Sequence, residues 1–330
     1  MNFEPRGLFA AFRPSAKRVA RRRVGLQPSG SKRSTISILA ARFFGRAGGK
    51  VYGKIGALEV RLAASRRDII RAQRLRYQVF YEEMSAKPTV SAQLLRRDED
   101  RFDQLCDHLL VVDTSEVDRK PGLIRRRRQP KVVGTYRILR ENMLRPGVSF
   151  YTQGEYDIAE LLQRHRGRQN FMELGRSCVL PQYRTKRTVE LLWHGLWTYI
   201  REHKVTVMMG CASFEGTDPS AHASALSFLY HHRLAPPAWR VRALPELHVP
   251  MNTLASEAID PRAALKALPP LIKGYLRLGA FVGDGAVIDQ QFGTTDVFII
   301  LPVEAIDPRY FEHFGAPDES ESRVAVARKT

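Results

Sequence analysis

Hydrophobic positions in the middle of the chain follow two periods, one typical of strands and one typical of helices. Residues 171–180 are largely apolar and are followed by Pro181, which indicates a buried strand that ends there, because proline cannot donate to a sheet ladder. Between Val189 and Ile200 the apolar residues recur every three or four positions, which predicts an amphipathic helix. A short basic turn joins the two elements. The centre of the chain is therefore predicted to be a strand–turn–helix unit.

Similar patterns predict further elements on both sides of this unit. Leu58–Leu62 alternates as a half-buried strand, and Ser65 followed by Asp68 is typical of a helix start. Antiparallel strands followed by a β-α-β unit favour an α/β (α+β) domain with one mixed sheet. The remaining expected elements are strands at 108–113, 131–139, 204–211, 241–243 and 295–301 and helices at 157–164, 218–230 and 271–278.

The ends of the chain differ from its middle in composition. Residues 1–50 hold twelve lysines and arginines against one glutamate, so +11 of the net charge of +19 lies there. We expect residues 1–55 to be a basic tail, 56–315 to be the folded domain and 316–330 to be a polar tail. Small apolar clusters among the N-terminal cations favour contact with an anionic membrane surface. A solvated, disordered extension and nucleic-acid binding are the alternatives for this tail.

Charge and cysteine usage narrow the functional classes. A net charge of +19 favours anionic partners. Nucleic acid is disfavoured, because the cations concentrate in the tail and in the run Arg125–Arg128 without interleaved aromatic residues. The three cysteines lack metal-ligand spacing, so we expect reduced thiols and no metal. No window approaches the roughly 18 apolar residues that a transmembrane helix needs. We therefore expect a cytoplasmic protein, peripheral at the membrane through its basic tail.

Several charged residues fall where burial is expected. Arg76 lies on the apolar side of its predicted helix and needs a carboxylate partner, which the acidic run 98–103 can supply. Glu173 and Arg176 interrupt the apolar central strand. Since they are three residues apart, a regular strand would point them to opposite faces, and both can reach one site only through a β-bulge near Gly175.

The basic turn after the central strand is a candidate phosphate site. Arg184, Lys186 and Arg187 lie at the N-terminus of the predicted helix, where free backbone N–H groups and the helix dipole favour an anion. On the local pattern alone, an ordinary β-turn-α unit with a solvated basic loop is an equal alternative.

Four short motifs occur in a fixed order along the chain, namely RYQVF at 76–80, DxDxxD at 98–103, GTYR at 134–137 and ELGR at 173–176. Together they resemble the acyl-carrier-protein-dependent branch of the GNAT acyltransferases, which includes acyl-homoserine-lactone synthases and the bacterial ornithine lipid enzymes. The string ELGRSCVLPQYRTKRTVELLW and the later SFEGTDP and LPPLIKGYLRLGA are closest to the ornithine lipid enzymes. The resemblance runs from about residue 58 to residue 314.

This resemblance implies a GNAT-like fold with a C-terminal extension and an N-acyltransferase activity. The expected reaction moves a (3-hydroxy)acyl chain from acyl carrier protein to the α-amine of L-ornithine and gives lyso-ornithine lipid. The donor is the acyl-phosphopantetheine of the carrier, and no tightly bound cofactor is expected. The loop 182–187 lacks the glycine usual in GNAT enzymes, and its extra cations fit a carrier-bound phosphopantetheine. A lactone synthase, another amine acyltransferase and, less favoured, a nucleic-acid-binding protein are the alternatives.

The resemblance also suggests roles for individual residues, each with a structural alternative. Glu173 is the candidate general base, or else an ion-pair partner within the sheet. Tyr230 is the candidate acid that protonates the leaving thiolate, or else a core residue. The expected substrate contacts, which compete with a purely structural salt-bridge network, are Arg76, Asp100, Asp103, Arg137 and Arg176. The expected phosphopantetheine contacts are Val179, Arg184, Thr185, Lys186 and Arg187.

Overall fold

The computed structural model describes residues 49–84, 86–117, 130–307 and 310. Within these ranges eight strands form one sheet in the order β1-β2-β3-β4-β5-β6-β8-β7. They are β1 (Val51–Ile55), β2 (Leu58–Leu62), β3 (Asp107–Val117), β4 (Pro130–Arg140), β5 (Phe171–Val179), β6 (Val207–Glu215), β7 (Phe281–Asp289) and β8 (Thr294–Pro302). Neighbouring strands are antiparallel except β5 and β6, which are parallel. The predicted α/β (α+β) mixed sheet is therefore confirmed.

Helices cover both faces of this sheet. They are α1 (Arg66–Tyr77), α2 (Val90–Leu95), α3 (Ala159–Arg164), α4 (Lys186–Glu202), α5 (Ala223–Arg233), α6 (Pro261–Ala267) and α7 (Pro270–Arg277). A π-helical turn, Gln78–Glu83, continues α1. Short 3-10 helices occur at Arg101–Gln104, Glu141–Met143, Tyr151–Gly154, Pro181–Tyr183, Pro219–His222, Ser256–Ala258 and Val303–Ala305.

Three expectations fall on segments that the structure does not describe. The tail up to residue 48, the arginine run 125–128 and the polar tail 316–330 all lie outside the described residues. Among the residues that are described, no helix has the length and apolar character needed to cross a membrane.

Strand β1 corrects the expected start of the folded domain at residue 56. It pairs with β2, and the buried Tyr52 donates its hydroxyl to Glu202 of α4 at 2.8 Å. The ordered domain thus includes Val51–Ile55. The strand was missed because its five residues, VYGKI, include a glycine and a lysine and show no sustained alternation.

The helices that flank the central strand form as their sequences predict. Ser65 caps α1 by accepting the N–H of Asp68, which confirms the predicted helix start. Helix α4 begins at Lys186, so Lys186 and Arg187 lie in its first turn, whereas Arg184 precedes its N-cap, Thr185. The same helix packs closely on β2, since a Cβ at Gly195 would lie 2.6 Å from a methyl group of Val60.

The C-terminal third completes the sheet and differs most from the prediction. Strand β7 was not predicted, because Gly283, Asp284 and Gly285 interrupt its apolar pattern. The expected strand at 241–243 makes isolated bridges. The expected helix from 218 to 230 is a 3-10 turn followed by α5.

Two apolar clusters fill the two faces of the sheet. The larger cluster lies under α4, α5 and α7, and Met172, Leu174 and Met208 contribute to it from the central strands. The smaller cluster lies on the opposite face under α3 and includes Met209 and Phe298. Because side chains alternate along a strand, Glu173 and Asp296 belong to this second face.

Candidate functional site at the divergence of two parallel strands

A cavity of about 510 Å³ opens where β5 and β6 separate. The two strands pair through three residue pairs, the last being Glu173 with Met209, although both strands continue for several residues. Gly210 is at φ +153°, and a Cβ there would lie 2.3 Å from the carbonyl oxygen of Leu174. Glycine therefore allows the close approach at the point where the strands part. Beyond it the two strands no longer pair with each other, and residues of both line the cavity.

A β-bulge shapes the cavity wall on the β5 side. Thr135 pairs with Cys178 and Arg137 pairs with Gly175, so three steps along β5 oppose two steps along β4. Arg176 adopts φ +51°, a left-handed conformation that costs a non-glycine residue on the order of 1 kcal/mol. Glu173 and Arg176 consequently both line the cavity. The predicted bulge near Gly175 is confirmed.

Glu173 is buried and fully engaged in hydrogen bonds. Its carboxylate accepts the N–H of Tyr151 at 3.0 Å and both the N–H and the hydroxyl of Thr152, at 2.7 and 2.5 Å. It thus caps the short helix Tyr151–Gly154 from a neighbouring strand. Burial raises the pKa of Glu173 above its usual value, although the three hydrogen bonds act in the opposite direction. The Glu173 carboxylate therefore holds a helix and borders the cavity at once.

Behind the cavity lies a buried network of three arginines and three aspartates. Arg76 has no exposed surface and pairs with Asp98 and Asp103, each at 2.7 Å. The charges balance within the network, as buried charges require. Its remaining members are Asp100, Arg137 and Arg176.

Three of the expected substrate contacts belong to this salt-bridge network, which was the structural alternative for them. Both oxygens of Asp103 are occupied by Arg76, Arg137 and Gln73, and Asp100 binds Arg137 while capping the helix Arg101–Gln104. Burial alone would raise the pKa of Asp103, but the two guanidinium charges outweigh it and hold that pKa well below the usual range. Arg76, Asp100 and Asp103 are not among the residues that line the cavity in the described chain. Through their ion pairs they hold Arg137 and Arg176, which do line the cavity, from behind.

Arg137 and Arg176 connect this network to the cavity, and both line its wall. The guanidinium of Arg176 lies 4.9 Å from the ring centre of Tyr151 and 4.5 Å from that of Phe292. Arg137 lies 5.6 Å from the ring centre of Tyr151. The two guanidinium groups are thus fixed in place between aromatic faces and carboxylates at this end of the cavity.

The expected phosphopantetheine contacts divide into two groups. Val179 and Arg184 line the cavity, and Arg184 pairs with Glu83 at 2.5 and 2.7 Å. Thr185 is the N-cap of α4 and accepts the N–H of Thr188. The other two, Lys186 and Arg187, are exposed in the first turn of α4, beside the cavity but outside its wall.

The other half of the cavity is apolar. It lies on the opposite face of the sheet, between the sheet, α4 and α7, so the C-terminal part of the chain closes it. Its lining includes Leu192, Trp193, Leu271, Tyr275, Ile299 and Leu301. One end of the cavity can therefore hold a hydrocarbon chain, and the other presents charged groups.

Tyr230 does not fit the expected role of an acid. It is half-buried, packs against the larger apolar cluster and makes an edge contact with the ring of His231. It is not among the residues lining the cavity in the described chain. The alternative of a core residue is the one that the structure supports.

Sequence reasoning missed a group of carboxylates at the charged end. Oxygens of Glu155, Asp289 and Asp296 lie within 4.8 Å of one another. Burial, reinforced by Asp296, raises the pKa of Glu155 to about 7, and burial raises the pKa of Asp296 to about 6. Glu155 is far in sequence from Asp289 and Asp296, and β7, which ends with Asp289, was not predicted. No local pattern could have brought them together.

Comparison with known proteins places this geometry among acyltransferases. The family model "Acetyltransferase (GNAT) domain" matches residues 75–194, which confirms the expected GNAT-like fold. An L-ornithine N(alpha)-acyltransferase of Brucella abortus (strain 2308) is 52% identical over 266 residues, 81% of this chain and 92% of that protein. Its counterpart from Rhizobium meliloti (strain 1021) is 53% identical over 266 residues, 81% and 87% of the two chains. A solved CoA-dependent acyl-homoserine lactone synthase, MesI, shows 12% identity and a TM-score of 0.41, covering 77% of this chain and 92% of that one.

Proposed function

Because this chain belongs to the L-ornithine N(alpha)-acyltransferase family, we propose that it transfers an acyl chain from acyl carrier protein to the α-amine of L-ornithine. The observation that carries the proposal is the cavity between the diverging strands β5 and β6, apolar at one end and charged at the other. A fatty-acyl thioester and an amino acid differ in this same way. The product is a lyso-ornithine lipid.

The thioester fits the point where the strands part. Beyond that point β5 and β6 no longer pair with each other, and their backbone N–H groups can stabilise the oxyanion that forms when the carbonyl carbon is attacked. The acyl chain lies in the apolar half, against Leu192, Tyr275 and Ile299. The pantetheine arm then runs along β5 toward Val179 and the basic loop.

The basic loop holds the carrier's phosphate in this arrangement. Arg184 lies at the cavity wall, and Lys186 and Arg187 extend from the first turn of α4, whose N-terminus also favours an anion. Arg184 is paired with Glu83 in the free protein, so it exchanges that carboxylate for the phosphate. An acidic carrier protein matches the basic surface, and salt is expected to weaken its binding.

The acceptor lies on the opposite face of the strands from the acyl chain. Arg176, assisted by Arg137, binds its α-carboxylate from the wall of the cavity. The α-ammonium loses one proton to Glu173, directly or through water, and Glu173 suits this role because burial raises its pKa. The neutral amine attacks the thioester carbon, the C–S bond breaks, and the second amine proton accompanies the thiol that leaves.

The place of this reaction is proposed to be the cytoplasm, at the membrane surface that takes up the product. The basic residues before residue 49 are expected to contact anionic lipid there. The donor brings its own phosphopantetheine, so the reaction needs no tightly bound cofactor.

The test is thiol release from 3-hydroxyacyl carrier protein by the purified protein, with and without L-ornithine, followed by mass spectrometry of the lipid. We expect thiol release that depends on ornithine and a product acylated at Nα, with a free carboxylate and a free side-chain amine. Release that depends on another amine, or a lactone product, would reassign the acceptor. If no amine supports release from the carrier, the proposed function is wrong.

A further inference from the structure

The carboxylates of Glu155, Asp289 and Asp296 have no part in the reaction outlined above. They come from three separate segments, since Glu155 follows the helix Tyr151–Gly154, Asp289 ends β7 and Asp296 lies in β8. Asp289 and Asp296 line the cavity, and Asp296 lies on the same face of the sheet as Glu173. We refer to these three residues as the acidic cluster.

The acidic cluster, unlike the arginine–aspartate network, is not balanced by cations. Asp296 is only 7% exposed, and its Oδ1 has no hydrogen-bond partner among the described residues. The Oε2 atom of Glu155 is likewise buried and has no hydrogen-bond partner among the described residues. Arg176 is the cation whose charge acts on Glu155 and Asp296, yet its guanidinium is already paired with aspartates of the network. Ionised carboxylates this close repel one another, all the more because Asp296 is buried, and a bound cation would relieve that repulsion.

The shape and surroundings of the cluster indicate which kind of cation it accepts. A primary ammonium group donates three N–H bonds and therefore matches three converging carboxylates. A divalent metal ion such as Mg²⁺ can complete its shell with water and is therefore the competing cation that the experiment below separates from an ammonium group. The cavity is also bordered here by Phe292, whose ring packs under the guanidinium of Arg176 and can contact the methylene groups of an acceptor.

We propose that Glu155, Asp289 and Asp296 bind the side-chain ammonium group of the amino-acid acceptor and select a dibasic amino acid over one with an apolar side chain. This inference rests on the proposed function, because it assigns the far end of the same acceptor. The α-carboxylate lies at Arg176 and the α-amine faces Glu173. The side chain crosses Phe292 to the acidic cluster.

The experiment compares L-ornithine with L-norvaline, which has the same carbon chain but no side-chain amine, as acceptors for wild type, Asp296→Asn and Glu155→Gln. Loss of one charged hydrogen-bonding partner is expected to lower kcat/KM for ornithine at least about tenfold, mostly through KM. The value for norvaline should change less than about threefold, because norvaline makes no contact with the cluster. Glu160→Gln, an exposed glutamate on α3, is the matched control and should leave both acceptors unchanged.

A binding measurement keeps the inference testable even if turnover is absent. L-Ornithine is expected to raise the unfolding temperature of the wild-type protein more than L-norvaline does, and Asp296→Asn should abolish that difference. Wild type that binds ornithine in this way but transfers no acyl chain would contradict the proposed function and leave the acidic cluster supported.

Two results would overturn the inference. The first is an equal loss of turnover with ornithine and norvaline in Asp296→Asn and Glu155→Gln, which would mean that the cluster positions or deprotonates the α-amine. The second is stabilisation of wild type, but not of Asp296→Asn, by Mg²⁺ or Ca²⁺ with no difference between the two amino acids, which would identify a metal site.

Discussion

Replacing Asp103 by asparagine tests whether the arginine–aspartate network supports the site through stability. The substitution keeps the shape of the side chain and removes one of three buried negative charges. Arg76, which has no exposed surface, then retains Asp98 as its carboxylate partner, and Arg137 retains Asp100. One guanidinium charge is left without compensation in the protein interior.

The expected cost is on the order of 3 kcal/mol, the usual effect of removing one partner from a buried ion pair. For a domain of this size each kcal/mol lowers the unfolding temperature by about 2–4 °C, so a decrease of roughly 6–12 °C is expected. Thermal unfolding followed by circular dichroism measures it. Glu82→Gln, which breaks the exposed pair with Arg96, is the matched control and should cost less than about 1 kcal/mol.

The pH dependence gives an independent check of the cause. Arginine neighbours lower the pKa of Asp103 in the folded protein, so its ion pairs stabilise the fold above the unfolded pKa, about 4, and lose their effect as the pH falls through the lower folded value. The difference between wild type and Asp103→Asn should be constant from pH 7 to pH 5 and shrink below pH 4. A loss under 1 kcal/mol at pH 7, or a loss equal to that of Glu82→Gln, would refute the reasoning.

Four further outcomes are expected. Glu173→Gln should lower kcat by about 10²–10⁴ with little change in KM, because an amide cannot accept the amine proton. If the substitution lowers the unfolding temperature but leaves kcat unchanged, Glu173 only caps the helix Tyr151–Gly154. Arg184→Ala should raise KM for the carrier protein, by a factor that shrinks as added salt screens the wild-type contact, while saturating turnover persists. Leu271→Trp should fill the apolar half and lower kcat/KM for long acyl chains more than for short ones. Asp296→Asn should stabilise the protein at pH 8 by on the order of 2 kcal/mol, because the pKa of Asp296 is raised in the folded state. This gain should fade as the pH falls through about 6 toward 4. Calorimetry at several pH values that finds no gain would contradict the repulsion proposed among the three carboxylates.

The parts of the fold that were predicted correctly are those whose signal is local. The helix cap at Ser65 and the strand–turn–helix unit are written in neighbouring residues, and the structure contains both. Strands β1 and β7 lack such a signal, because glycine and charged residues interrupt their short apolar runs. Each of them pairs with the next strand in the chain, β1 with β2 and β7 with β8, but such pairing leaves no mark on local periodicity.

The site was predictable where a charge contradicted its apolar surroundings. Arg76 on an apolar face required a carboxylate, and Glu173 with Arg176 on one strand required a bulge; both requirements are met. The sequence did not indicate which way the aspartate side chains of the acidic run 98–103 would point. Asp100 and Asp103 pair with arginines and are not among the cavity-lining residues of the described chain, and the sequence alone does not fix which way an acidic loop turns.

The two charged groups around the cavity therefore have opposite roles. The network has three cations and three anions in mutual contact, so it needs no ligand and its removal should cost stability. The acidic cluster has three anions and a buried oxygen with no partner among the described residues, so the protein maintains it against its own repulsion. Repulsion among these carboxylates lowers the stability of the fold. In a cavity that receives an amine, the ammonium group of the acceptor offsets that repulsion when it binds. Disrupting the network should therefore lower the stability of the protein, whereas neutralising the acidic cluster should raise it. Only changes in the acidic cluster should alter the selectivity for the acceptor.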